Sequence, residues 1–166
     1  VACPIPAEDE IPADEINRII EQIPRYRQKV REVTLGLARP VWIDDRDFDI
    51  TYHVRRSALP KPGTDIELDE LVGRLISRPL DRTRPLWEVY VIEGLESGRW
   101  GLLTKYHHAT IDGASGVVML MLIHDLTPDA PPLEESPPWQ AEPVPGDLEL
   151  LRLALGNLAR NPAKAV

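Results

Sequence analysis

A change of hydrophobic period midway along the chain constrains its fold more than any other feature. Leu68, Leu71, Val72, Leu75 and Ile76 stand at i, i+3, i+4, i+7 and i+8, the spacing of one apolar helix face, and Pro79 ends the run. Trp87 to Ile92 and Trp100 to Tyr106 are rich in aromatic and branched residues, and Gly94-Leu95-Glu96-Ser97-Gly98-Arg99 lies between them. That pattern predicts an antiparallel hairpin. A clear helix followed by a hairpin predicts a domain that combines helices and a sheet.

The flanking sequence extends this outline. Ile16, Ile19, Ile20 and Ile23 share a helix face between a possible Asp14 cap and a closing Pro24. After the basic stretch Arg25 to Arg31, Pro40 to Ile43 and Phe48 to Val54 predict two short strands split by a turn at Asp44-Asp45-Arg46-Asp47. Pro60, Pro62 and Gly63 mark a loop. Val117 to Ile123 predicts a buried helix beginning after Gly113. Seven prolines between 128 and 145 predict a stiff connector, beyond which Leu148, Leu151, Leu155 and Leu158 fall on one helix face. The expected organisation is therefore a domain over residues 1–127, a proline-rich connector over 128–146 and a helical segment over 147–166.

Composition narrows the partners. With 19 basic and 27 acidic residues the net charge is −8, which disfavours nucleic acid or an anionic membrane surface. The single cysteine, Cys3, cannot pair within the chain, so a reducing, cytoplasmic setting fits best. The first residues lack the basic start and apolar run of a signal peptide, and no apolar stretch approaches the roughly 20 residues of a transmembrane helix.

Chemistry concentrates in His107-His108-Ala109-Thr110-Ile111-Asp112-Gly113, where the hairpin hands over to the buried helix. Adjacent histidines on a strand point to opposite faces, so they make a poor pair of metal ligands, and neither His53 nor His124 supplies an HExxH-like spacing. No metal is expected. Gly113-Ala114-Ser115-Gly116-Val117 has the serine of a nucleophile elbow but not its final glycine. What remains is a histidine acting as a general base on a bound hydroxyl, or a hydrogen-bonded structural histidine.

The fixed positions His-His-x-x-x-Asp-Gly should arise by chance in such a chain on the order of once in several thousand. The motif resembles that of the wax ester synthase/diacylglycerol acyltransferase family, within the wider group of coenzyme A-dependent acyltransferases and peptide-synthetase condensation domains. Pro79-Leu80-Asp81-Arg82 and Arg84-Pro85-Leu86-Trp87-Glu88 are similar to the family's PLW stretch, and Ile92-Glu93-Gly94-Leu95 to its hairpin turn. Condensation domains share the histidine motif but not usually this context.

The resemblance implies an α/β fold, a mixed sheet with flanking helices that forms one half of a chloramphenicol acetyltransferase-like fold. It also implies transfer of a fatty acyl group from acyl-coenzyme A to diacylglycerol or a long-chain alcohol, without cofactor. His108 is then the general base, His107 supports the site, and Asp112 is structural, paired with an arginine for which Arg25 and Arg27 are candidates. Gly113 permits the turn after the motif. Pro85, Leu86 and Trp87 either touch substrate or hold the fold, and for Trp87 a core position is the simpler reading. Members carry a strand before this region and a second half-domain after it, so the segment alone is expected to be inactive and to act with that partner half, at most peripherally on lipid inclusions or membrane. Carrier-bound thioesters as donors, or lipid binding without turnover, are the alternatives on the same fold.

Overall fold

The structure, a computed structural model, describes residues 23–33, 39–110 and 139–160. The expected helix around Ile16, Ile19 and Ile20, the run from Ile111 to Asp125 and the prolines from 128 to 138 lie outside these residues. The chain enters through a 3-10 turn, Pro24–Arg27. Pro24 opens this turn, as suits a residue with fixed φ and no N–H to satisfy.

Strands β1 (Gln28–Arg31) and β2 (Val41–Asp44) form an antiparallel ribbon with Gln28 opposite Asp44 and Arg31 opposite Val41. The expected strand over Phe48 to Val54 is replaced by a one-turn helix, α1 (Ile50–His53), and strand β3 begins only at Val54 and runs to Ala58. Asp49 causes the change. Its carboxylate accepts hydrogen bonds from the Thr51 backbone N–H at 2.9 Å and the Thr51 hydroxyl at 2.7 Å, and this local cap overrides the β propensity of Ile50, Thr51 and Tyr52.

Helix α2 spans Asp65–Ser77, as the apolar period predicts. The Glu67 carboxylate accepts the Thr64 backbone N–H at 2.7 Å and also the Thr64 hydroxyl, satisfying an otherwise orphaned donor at the helix start. Just before it, Gly63 adopts φ +76°, and a Cβ there would lie 1.8 Å from the Gly94 carbonyl oxygen, so only glycine fits. At the other end, the Lys105 ammonium donates to the carbonyls of Leu75 (2.9 Å) and Arg78, tying the helix terminus to the sheet.

Strands β4 (Trp87–Glu93) and β5 (Gly101–Tyr106) form the expected hairpin, with Trp87 opposite Tyr106 and Ile92 opposite Gly101. On its other edge β4 pairs in parallel with β3, Val54 opposite Val89, giving a mixed sheet in the order β3-β4-β5. Alternation along β4 creates two unlike faces. Tyr90 and Ile92 join Leu59, Leu71, Leu75 and Leu95 in an aliphatic core under α2, whereas Trp87 and Val89 join Val54 and Tyr26, with Phe48 and Tyr106 packed against them.

Residues 139–146 carry no regular structure and lead into helix α3 (Asp147–Arg160). Arg31 donates to the Pro145 carbonyl at 3.1 Å and pairs with Asp147, seating the helix start against the ribbon. The helix forms where the leucine spacing predicts one. Leu150 is the residue buried against Val33 and Val41, while Leu148 and Leu155 are 81% and 51% exposed. Anchoring at Arg31 rotates Leu150 inward, and the leucine spacing alone carries no information about that anchor. Among the described residues no helix is long and apolar enough to cross a membrane.

Candidate active site

Strand β5 ends at Tyr106 and the two histidines follow at once. One further ladder bond, from the His107 backbone N–H to the Leu86 carbonyl at 3.0 Å, holds the chain as it leaves the sheet. It then turns. The Thr110 backbone N–H donates to the His107 carbonyl at 2.9 Å, and the Thr110 hydroxyl lies 2.7 Å from the same oxygen and 3.3 Å from the Leu86 oxygen.

The His107 ring closes the turn from within. Its Nδ1 accepts the Ala109 backbone N–H at 3.1 Å, which assigns the neutral ring's proton to Nε2. His107 and His108 are both exposed. Among the described residues nothing hydrogen-bonds the His108 imidazole, so its nitrogens are open to an incoming group. Asp112 and Gly113 lie outside the described residues.

Pro85, Leu86 and Trp87, read from sequence as substrate-contacting or structural, are all buried, the last two at 2% exposure. The Leu86 carbonyl is the acceptor that fixes the histidine turn. The Trp87 indole N–H donates to the Tyr26 carbonyl at 2.8 Å, and its ring meets Tyr26 edge-on at 5.7 Å between centroids. Such aromatic contacts contribute about 0.5–1.5 kcal/mol beyond the area they bury.

Behind Trp87 stands a residue that spacing arguments set aside. His53 is fully buried, stacked on Trp87 at 4.4 Å and on Phe48 at 5.3 Å, with Tyr52 edge-on at 5.2 Å. Its Nδ1 lies 2.7 Å from the Trp87 carbonyl oxygen and must be the donor, since a carbonyl only accepts. Burial pushes its pKa down, keeping the ring neutral. The sequence hint was the aromatic flanking of His53 by Phe48 and Tyr52, together with the Asp49-x-Thr51 cap signal.

Tyr106, opposite Trp87, completes this layer 6.0 Å from Tyr26, and burial raises the pKa of its phenol. Tyr26 is likewise pushed up, to about 12, so both phenols remain protonated at physiological pH. The two arginines considered for Asp112 lie at the edge of this region. The Arg25 guanidinium sits 4.6 Å from the Trp42 ring centroid, and the Arg27 guanidinium is 5.5 Å from Phe48 and 4.8 Å from Trp139.

On the opposite face Glu88 is buried at 7% exposure. It accepts the Tyr90 hydroxyl at 2.8 Å and has Arg55 and Lys105 each 3.8 Å away. Among the described residues no group of three His, Cys, Asp or Glu side chains is placed to hold a metal ion.

A mixed sheet that releases a paired-histidine motif at the end of its hairpin matches a known catalytic architecture. The family model for the wax ester synthase/diacylglycerol acyltransferase catalytic domain matches residues 7–166, and the chain belongs to that family. It is 54% identical over 149 residues to a Mycobacterium tuberculosis protein named probable diacylglycerol O-acyltransferase tgs3, covering 90% of this chain and 55% of that one. A second M. tuberculosis relative, probable diacylglycerol O-acyltransferase tgs1, is 48% identical over 101 residues, 61% of this chain and 22% of its own. Among solved structures, the wax ester synthase/diacylglycerol acyltransferase from Marinobacter aquaeolei VT8 superposes with a TM-score of 0.56 at 33% identity, covering 74% of this chain and 32% of that chain. The chain thus spans about half the length of one curated relative and less of the other.

Proposed function

We propose that this chain is the histidine-bearing part of an O-acyltransferase that moves a fatty acyl group from acyl-coenzyme A to diacylglycerol or a long-chain alcohol, with His108 as general base. The observation that carries the reading is the division of labour in the turn. The His107 backbone and ring are engaged in holding the turn, while the His108 imidazole is exposed and makes no hydrogen bond among the described residues.

In the proposed reaction an imidazole nitrogen of His108 takes the proton of the acceptor hydroxyl as its oxygen attacks the thioester carbonyl. Collapse of the tetrahedral adduct breaks the carbon–sulfur bond, and the departing thiolate takes the proton from the imidazolium, leaving an ester and free coenzyme A. An imidazole can both accept and return a proton, which suits both halves of that exchange. Neither a covalent acyl-enzyme nor a metal is needed. Asp112 would hold the backbone or an arginine below the turn, and Gly113 would allow the chain to bend away. A second half-domain would supply the opposite wall, excluding water and aligning the reactants, and the acceptor would be drawn from a lipid surface in the cytoplasm.

The full-length protein, incubated with radiolabelled palmitoyl-coenzyme A and either diacylglycerol or hexadecanol, should release coenzyme A and labelled ester in equal amounts. Release of coenzyme A with free palmitate as the only labelled product, whichever alcohol is offered, would contradict the reading.

A further inference from the structure

We infer that His53 is a positioning residue for the histidine turn, acting through the Leu86–Trp87 segment as a neutral imidazole with its proton on Nδ1. This rests on the reading of the turn as the reacting part of the site.

The pairing of β4 shows why a side chain is needed at this point. Successive carbonyls of an extended strand point to opposite edges. The Leu86 carbonyl, just before β4, holds the His107 backbone N–H of the β5 side at 3.0 Å, while the Trp87 carbonyl, the first of the strand, faces the other edge, where His53 lies. There β3 pairs with β4 from the register Val54 opposite Val89 onward, and among the described residues no strand reaches Trp87 on that edge. His53, the residue just before β3, supplies the missing donor from its ring at 2.7 Å. Trp87 is thus held from one edge by His53 and, through Leu86, from the other edge by the turn.

The ring cannot swing away. Phe48 and Trp87 both stack on it, with interplanar angles of 15° and 24°, and Tyr52 meets it edge-on. Packing alone would not select histidine here. Its Nε2 is buried with no hydrogen-bond partner among the described residues, a defect that a phenylalanine in the same slot would lack. The part of histidine that phenylalanine cannot replace is the Nδ1 donor. In an apolar, aromatic slot that donor fixes the strand from which the turn departs, and an ångström of drift at a reacting group can cost about 10²-fold in rate.

The test compares His53→Phe, which keeps the ring but has no donor, with His53→Asn, whose side-chain amide can place an N–H near the former Nδ1, and His53→Gln, which places it near the former Nε2. All are made in the full-length protein, with His108→Ala as a parallel control. The expected result for His53→Phe is a kcat lower by about 10-fold to 10²-fold with KM within about twofold. Faster hydrogen exchange of the His107 amide should accompany it, and His53→Asn should recover most of both quantities. If His53→Phe does not fold, the Asn and Gln variants decide, and Asn should exceed Gln in kcat by about tenfold with a slower-exchanging His107 amide.

A purely structural His53 would lower the melting temperature of every variant while leaving kcat and His107 exchange of the folded fraction at wild-type values, and that result overturns the inference. So does equality of Asn and Gln. Should His108→Ala remain active while His107 exchange still follows the Phe, Asn and Gln series, the base assignment fails and the positioning of the turn by His53 stands.

Discussion

The two faces of the β3-β4-β5 sheet are built from one set of strands yet differ in kind. Under α2 the core is mainly aliphatic, with Leu59, Leu71, Leu75, Ile92 and Leu95 around Tyr90. The other face is aromatic and carries directional bonds, from the Trp87 indole to Tyr26 and from the His53 imidazole to Trp87. Apolar packing has no preferred direction and tolerates volume-conserving exchange, whereas buried hydrogen bonds fix atoms in place. The histidine turn leaves the sheet at the aromatic end, from the one residue pair, Leu86 and His107, that this second network braces. Stability can come from either face, but placement of the site comes from one.

Truncation on each face sharpens that contrast. Trp87→Ala should lose about 3–5 kcal/mol of stability, measured by denaturant unfolding, and the turnover of the molecules still folded should also fall. Leu71→Ala should lose about 2–5 kcal/mol, with turnover of the folded fraction unchanged. Equal losses of turnover on both faces would dissolve the distinction between them. Further from the sheet, Leu150→Ala should cost about 2 kcal/mol because Leu150 is buried against Val33 and Val41.

Acid should act on the aromatic face first. His53 has its pKa depressed below its usual 6.5, so below that pH the unfolded chain binds a proton that the folded chain refuses. Its share of stability is therefore present above about pH 6.5 and declines as pH falls toward the folded pKa, at most by about 1.4 kcal/mol per pH unit. Arg84, which lowers the pKa, and Glu88 and Asp45, which raise it, are the charges that modulate this window. Unfolding curves between pH 7 and 5 should flatten in His53→Phe, and an unchanged slope would argue against a buried neutral imidazole. The smallest effect is expected at Leu148, where exposure of 81% predicts a change within about 0.5 kcal/mol on substitution by alanine.

How much could be read from the sequence follows the range of the forces involved. Helix α2 and the β4–β5 hairpin were legible because their apolar periods are local and strong. Strand β1 was not, since Gln28-Lys29-Val30-Arg31 is half-buried throughout and shows no alternation. Asp49 turned an expected strand into a helical turn through contacts only two residues apart, a signal present in the sequence and outweighed by Ile50, Thr51 and Tyr52. The paired histidines were visible as a motif. Their support was not, because His53 and Tyr26 reach Trp87 across 34 and 61 residues, and no local pattern encodes such a meeting.

Replacement of His108 tests the central claim most directly. In the full-length protein, His108→Ala should fold with a melting temperature near that of the parent, because the side chain is exposed and unbonded among the described residues. Its turnover with palmitoyl-coenzyme A and diacylglycerol or hexadecanol should fall by about 10² to 10⁴-fold, the usual worth of a positioned general base. Turnover within a fewfold of the parent, in a variant shown to be folded, would contradict the account.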